Sequence, residues 1–176
     1  MAQGLRRPGR PRRDEDSVSA RERIPRSAGE LFMRLGYESV TMEMVADAAR
    51  VTKAAVYYHF PDKAALLTEA MVQAFLVARQ EVRAVLREER PLRDRLTDLA
   101  NTVLMLPDPF ASFENMMLEA ASDLTVEQYA RIRRSEVAVG QELALALEPE
   151  GIQDAQFRAH AFIAMLQLGV ILREIV

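Results

Sequence analysis

The chain has 176 residues, of which 49% are hydrophobic, and this composition suits one or two small folded domains and excludes a disordered polypeptide. It contains no cysteine, which excludes a disulfide framework, a thiolate metal site and a cysteine nucleophile. Its two histidines, His59 and His160, lie far apart in sequence, so we expect no metal and no cofactor. No apolar run approaches the roughly 18 residues that span a bilayer, and the basic N-terminus leads into acidic residues. We therefore expect a cytoplasmic protein without a signal peptide or a membrane partner.

The net charge of −3 conceals a basic N-terminal part. Residues 1–63 contain 12 Lys and Arg against 9 Asp and Glu, whereas residues 64–176 contain 11 against 17. The first 13 residues carry five arginines and no acid, among glycines and prolines that exclude regular structure. We expect residues 1–18 to form a flexible basic arm. Such an arm is either a solubilising tail or a segment that binds an electronegative minor groove.

The first predicted helix begins at Ser19 and ends near Leu35, just before a glycine that can stop it. Ser19 and Glu22 have the spacing of a capping box, and apolar residues recur on one helical face from Ile24 onward. Pro25 would remove a hydrogen bond inside this helix. We therefore expect either a kink at Pro25 or a helix that starts near Ile24.

Two short helices follow with a very short connection. Thr41 can cap a helix to about Ala49, and Thr52 can cap another to about Tyr58. Two helices joined so tightly form a helix-turn-helix, whose second helix enters the major groove of DNA. The residues expected in the core of this unit are Met44, Val45, Ala48, Ala49, Val51, Val56 and Phe60.

Five further helices are predicted by the spacing of apolar residues and by proline-containing breaks. Asp62 caps the first of them, and the last is apolar nearly all round, which implies burial on more than one side. No strand pattern or internal repeat occurs, so the fold class is all-α. The predicted helices lie at 63–89, 91–106, 110–122, 125–148 and 154–175.

The segment TMEMVADAARVTKAAVYYHFPDKAALL at 41–67, preceded by LFMRLGY, closely resembles the DNA-binding domain of the TetR (tetracycline-repressor-like) family of bacterial transcription regulators. The cap, the Tyr-x-His-Phe motif and the following lysine fall at family spacing over about residues 19–67, whereas residues 68–176 match only in layout. The resemblance implies a three-helix helix-turn-helix domain at 19–62. It also implies an α-helical regulatory domain at 63–176, for effector binding and dimerisation.

The resemblance further implies which residues contact DNA. Hydroxyls, helix N-terminal amides and lysine ammonium groups bind phosphates, and a small residue such as Ala54 lets the helix approach a thymine methyl. Tyr58 either packs on the first helix or faces DNA. Arg50 stands where the family commonly has glycine, so a left-handed turn would cost roughly 1 kcal/mol while the guanidinium adds a possible phosphate contact. The expected DNA-binding residues are Arg10, Arg12, Thr41, Arg50, Thr52, Lys53, Ala54, Tyr57, Tyr58, His59 and Lys63.

An effector cavity among the last five helices is also implied by the resemblance. Large flexible apolar side chains suit such a cavity, but they are equally ordinary core residues, and the sequence leaves both interpretations open. Few polar residues accompany them, so we expect a small apolar effector. The candidate effector-binding residues are Met71, Phe75, Met105, Phe110, Phe113, Met117, Tyr129, His160 and Met165.

We expect a homodimer, because one helix-turn-helix makes too few contacts for specificity and the apolar last helix needs a partner surface. Residues 154–175 should pair across the dyad with a contribution from 125–148, and the usual final helix of the family is missing or lies outside this sequence. The expected function is a ligand-responsive repressor that binds an inverted-repeat operator in double-stranded DNA. The alternative is a constitutive DNA-binding regulator without an effector. We do not expect an enzyme, because the sequence shows no set of a nucleophile, a general base and a residue that orients the base.

Overall fold

The computed structural model describes residues 19–105 and 109–175, and this part of the chain consists of eight α-helices without a strand. The all-α fold and all eight predicted helices are confirmed, although the fourth and sixth end about one turn earlier than expected. None of the helices described has the length and apolar character that crossing a membrane requires. The helices are α1 (Ala20–Leu35), α2 (Met42–Ala49), α3 (Lys53–His59), α4 (Lys63–Leu86), α5 (Leu92–Met105), α6 (Pro109–Glu119), α7 (Val126–Leu147) and α8 (Ala155–Ile175).

Polar side chains cap four of the helices at the positions that the sequence indicates. In α2, the Thr41 hydroxyl accepts a hydrogen bond from the Met44 N–H at 3.2 Å. Such a cap contributes about 1 kcal/mol by satisfying a donor that the helix leaves free. The four capping residues are Thr41, Thr52, Asp62 and Thr125.

Helix α1 runs without interruption through Pro25, which is buried. The backbone N–H of Ser19 donates to the Glu22 carboxylate at 3.3 Å, and this local contact stabilises the first turn ahead of the proline. The expected start near Ile24 is therefore wrong, because the helix begins at Ala20.

The larger buried cluster joins α1, α2 and α3 to the first half of α4, to α6 and to one residue of α7. Val45, Val56 and Phe60 are buried in it as predicted. The prediction for Ala48 is wrong, since this residue is exposed. The buried face of α2 is instead formed by Met42, Val45, Ala46 and Ala49.

A second buried cluster lies at the other end of α4, where α7 and α8 pack together. Next to it, the carboxylate of Glu142 on α7 accepts hydrogen bonds from Arg79 at 2.6 Å and Arg83 at 2.8 Å, both on α4. Glu142 is only 5% exposed. The hydrogen bonds from Arg83 and Arg79 lower the pKa of Glu142 to about 2, so α4 and α7 are joined by a buried carboxylate that stays charged.

The described side chains of α8 include both buried and exposed residues. Ala155 and Ala159 lie in the second cluster, but Phe157, Met165 and Leu168 are 74%, 63% and 55% exposed. Among the side chains of α8 that the structure describes, the expected burial on more than one side is therefore not achieved inside the chain, and these exposed residues form an apolar face.

Candidate nucleic-acid interface

Helix α3 is held by one fully buried residue and leaves most of its surface exposed. Val56 anchors it in the large cluster, while Lys53, Ala54 and Tyr57 are exposed. Tyr58 is 85% exposed, and its ring lies nearly perpendicular to that of His59, with centroids 5.1 Å apart. The alternative in which Tyr58 packs on α1 is therefore wrong, and its ring stands free on the surface of α3.

The two threonines expected at phosphates occupy the N-termini of α2 and α3. The hydroxyls of Thr41 and Thr52 accept hydrogen bonds from the N–H groups of Met44 and Ala55, at 3.2 and 3.1 Å. Each hydroxyl still has its own proton to donate. Both threonines are exposed at the positive ends of helices, so they are chemically suited to bind phosphate oxygens.

Arg50 occupies the turn between α2 and α3 in the left-handed conformation that its position implied, with φ 54° and ψ 49°. Its N–H donates to the Asp47 carbonyl at 3.1 Å, and the side chain is exposed. The turn therefore carries an exposed arginine at the backbone cost of roughly 1 kcal/mol that a non-glycine residue incurs in this region.

Lys53 forms an exposed ion pair with Glu43, with the ammonium 3.3 Å from the carboxylate. Sequence reasoning did not identify Glu43 as part of this surface. Its place in the first turn of α2, a usual site for an acid, was visible in the sequence, but its proximity to α3 depends on how the two helices pack.

Lys63 has a different environment from Lys53. Its ammonium donates to the backbone carbonyls of Tyr37 at 2.8 Å, Val40 at 3.1 Å and Glu38 at 3.4 Å. It also lies over the Tyr37 ring, 4.2 Å from the centroid. The first residue of α4 is therefore bound to the loop between α1 and α2, a set of contacts that sequence reasoning missed.

The same α1–α2 loop, residues 36–40, is attached to the turn between α6 and α7. The Tyr37 hydroxyl donates to the Asp123 carboxylate at 2.8 Å, and the Glu38 N–H donates to the Glu119 carboxylate at 3.0 Å. Burial and the Asp123 carboxylate raise the pKa of Tyr37 well above its usual value. Gly36 has φ +80°, and a Cβ there would come within 2.9 Å of a Glu119 oxygen, so glycine permits this approach.

Four of the candidate effector-binding residues lie together. Met71, Phe113 and Met117 are buried in the large cluster, and Phe75 contacts Phe113 edge to face with ring centroids 5.2 Å apart. An effector at this place would have to displace packed side chains.

Of the other candidates, Tyr129 is linked to Phe113 through Arg133, whose guanidinium lies 5.3 Å from the Phe113 ring centroid and 5.4 Å from that of Tyr129. Met105, which is 81% exposed, Tyr129 and His160 are exposed, and the side chain of Phe110 on α6 lies outside the described residues, as do Arg10 and Arg12. Met165 borders an open groove of about 510 Å³ at the α7–α8 turn. The apolar residues that line this groove are Leu96, Leu143, Leu147, Ile152, Phe162 and Met165.

Two short capped helices, with the second exposed along one side, define a helix-turn-helix domain. Residues 24–70 match the family model described as bacterial regulatory proteins, tetR family. The N-terminal domain of this chain belongs to that family.

Similar proteins include the probable HTH-type transcriptional regulator ArpR of Pseudomonas putida, 28% identical over 123 residues. The match covers 70% of this chain and 50% of ArpR, so the chain spans about half the length of this relative. Among solved structures, NemR from E. coli in reduced form has a TM-score of 0.75 at 18% identity, covering 89% of this chain and 88% of NemR. A transcriptional regulator from Saccharomonospora viridis in complex with choline has a TM-score of 0.66 at 25% identity, covering 86% and 83%.

Proposed function

We propose that this protein is a DNA-binding transcriptional regulator that binds an inverted-repeat operator as a homodimer and is released from it by a small apolar effector. The observation that carries the proposal is the exposed side of α3, where Lys53, Ala54 and Tyr57 share a surface with the two capped helix N-termini. A small residue, a cation and hydroxyls on one helix-turn-helix suit base and phosphate contacts. The name of ArpR, a probable HTH-type transcriptional regulator, supports the same class.

The proposal is tested by replacing Lys53 with methionine, which removes the charge and keeps an unbranched chain. A lysine that binds a phosphate releases counterions, so we expect weaker binding and a slope of log affinity against log salt that is smaller by about 1. The DNA is a duplex selected from a random pool for binding to the parent protein. The matched control is Arg134→Met on α7, a residue whose side chain forms an exposed ion pair with Glu127. If the parent and the Lys53 variant have equal slopes of log affinity against log salt, Lys53 does not bind a phosphate.

Dimerisation is supported by the exposed apolar face of α8. Isolated large apolar residues are common on surfaces, but Phe157, Met165 and Leu168 recur along one helix, and contiguous apolar faces mark interaction sites. Helix α7 adds Val137 and Leu145, which are also exposed. A two-fold axis through this region would bury both sets and present two copies of α3 to successive major grooves.

The effector site is proposed near Phe75 and Phe113, or in the groove that Met165 borders. The S. viridis regulator binds choline, which supports a ligand site in a protein of this architecture without identifying the ligand here. The constitutive alternative is favoured by one observation, the tight burial of Met71, Phe113 and Met117. Operator affinity that no small molecule changes would support that alternative.

The arm, with Arg10 and Arg12, is proposed to add minor-groove contacts.

A further inference from the structure

The ammonium group of Lys63 has no donor left for DNA. A lysine ammonium has three N–H groups, and three carbonyl oxygens lie within 3.4 Å of this nitrogen. The Tyr37 ring covers another side of the cation at 4.2 Å. Binding a phosphate would therefore require Lys63 to break contacts that it already makes, whereas Lys53 has a single exposed carboxylate partner.

The carbonyls that Lys63 binds belong to the residues directly before the α2 cap. Tyr37, Glu38 and Val40 precede Thr41, whose hydroxyl opens α2, and the side chains of Tyr37 and Val40 are themselves buried. Lys63 thus joins the start of α4 to the start of α2. Thr41 directly follows the loop whose carbonyls Lys63 binds.

We propose that Lys63 is a positioning residue for DNA binding, which holds the α1–α2 loop so that Thr41 reaches a DNA phosphate, and that its own ammonium does not contact DNA. This assignment rests on the proposed function and differs from the phosphate contact that the family resemblance implies for Lys63. A phosphate contact and a positioning role predict different results for the same variants. A phosphate contact releases counterions, so losing it changes the salt dependence of binding, and another cation of sufficient length can replace it. A positioning lysine that binds carbonyls meets neither condition.

The first test compares Lys63→Met and Lys63→Arg, using the selected duplex and the parent protein as reference. We expect each variant to lose about tenfold in affinity, the loss typical of a charged hydrogen-bond group, while the salt slope stays equal to the parent value. Arginine should not rescue binding, because its planar guanidinium cannot direct three N–H groups at carbonyls that converge on one point. Lys53→Met is the control that lowers the slope by about 1.

The second test separates positioning from general stabilisation by combining Lys63→Met with Thr41→Val. If Lys63 acts through Thr41, the affinity lost on changing Lys63 should shrink when the Thr41 hydroxyl is already absent. Circular dichroism at the binding temperature confirms that each variant measured is folded. Additive losses, a slope that falls by about 1 in Lys63→Met, or full affinity in Lys63→Arg would each overturn the positioning role. A parent protein that binds no duplex would instead contradict the proposed function itself.

Discussion

Arg50 combines a backbone cost with a surface position that favours DNA binding. Its φ of 54° is a conformation that glycine adopts freely and that other residues adopt at a cost. Its exposed side chain belongs to the turn between α2 and α3, where a cation would be able to contact a phosphate in the proposed interface. Glycine at this position would therefore stabilise the fold, whereas arginine would strengthen DNA binding.

Arg50→Gly should consequently raise the free energy of unfolding by up to about 1 kcal/mol and lower the affinity for the selected duplex. Asp154 provides a matched control, since it is the other non-glycine residue with positive φ in the described part of the chain, at 55°. Asp154→Gly should stabilise to a similar extent and leave DNA binding unchanged, because it precedes α8. Urea denaturation and duplex titration measure the two effects. An Arg50→Gly protein that binds DNA as tightly as the parent would show that the side chain is not part of the interface.

The contact between α4 and α7 depends on Glu142, which sits between two arginines of α4. Its folded-state pKa of about 2 lies below the ordinary value of 4.5, so folding favours the charged form. This stabilisation is complete above about pH 4.5 and is lost as the pH falls toward 2, because the unfolded chain then binds a proton more readily than the folded chain.

Glu142→Gln should lower the free energy of unfolding at neutral pH by about 2 kcal/mol, since it leaves Arg79 and Arg83 without a carboxylate. The difference between variant and parent should shrink as the pH falls from about 4.5 toward 2. Glu127→Gln is the control, because the Glu127–Arg134 pair is exposed and such pairs contribute little. Denaturant titrations across this range measure both variants. A difference independent of pH would contradict the stabilising role of the charge.

The starts of the capped helices could be predicted from sequence because helix caps act locally. Thr41 and Thr52 each bond to a backbone N–H three residues ahead, so the signal and its effect lie within one turn. The attachment of the α1–α2 loop could not be predicted, because Tyr37 and Asp123 are 86 positions apart and meet only in the packed protein. For the same reason the sequence, which predicts a phosphate contact for Lys63, could not show its carbonyl partners.

In the whole molecule, the helix-turn-helix shares one buried cluster with the first half of α4 and with α6. Leu66, Leu67 and Met71 of α4 lie in the same cluster as Val56 of α3 and Phe113 of α6. A displacement of α4 or α6 would therefore reach α3 through packed side chains, by way of α1 and α2. About 2.7 kcal/mol of coupling would change operator affinity roughly a hundredfold, and operator DNA would weaken effector binding by the same factor.

The proposed function also requires two copies of this molecule on one operator. The apolar face of α8 contains Phe157, Met165 and Leu168, and its exposure in a single chain is the structural reason to expect a dimer. One copy of α3 would contact only a few base pairs, so in the proposed function specificity depends on the spacing of two copies.

A hydroxyl-radical footprint of the parent protein on the selected duplex tests the central claim most directly. The account predicts two protected segments related by two-fold symmetry, with centres about 34–36 Å apart or a multiple of that distance, over an inverted-repeat sequence. A single protected segment, or protection without two-fold symmetry, would contradict the proposal that a homodimer binds DNA through two copies of α3.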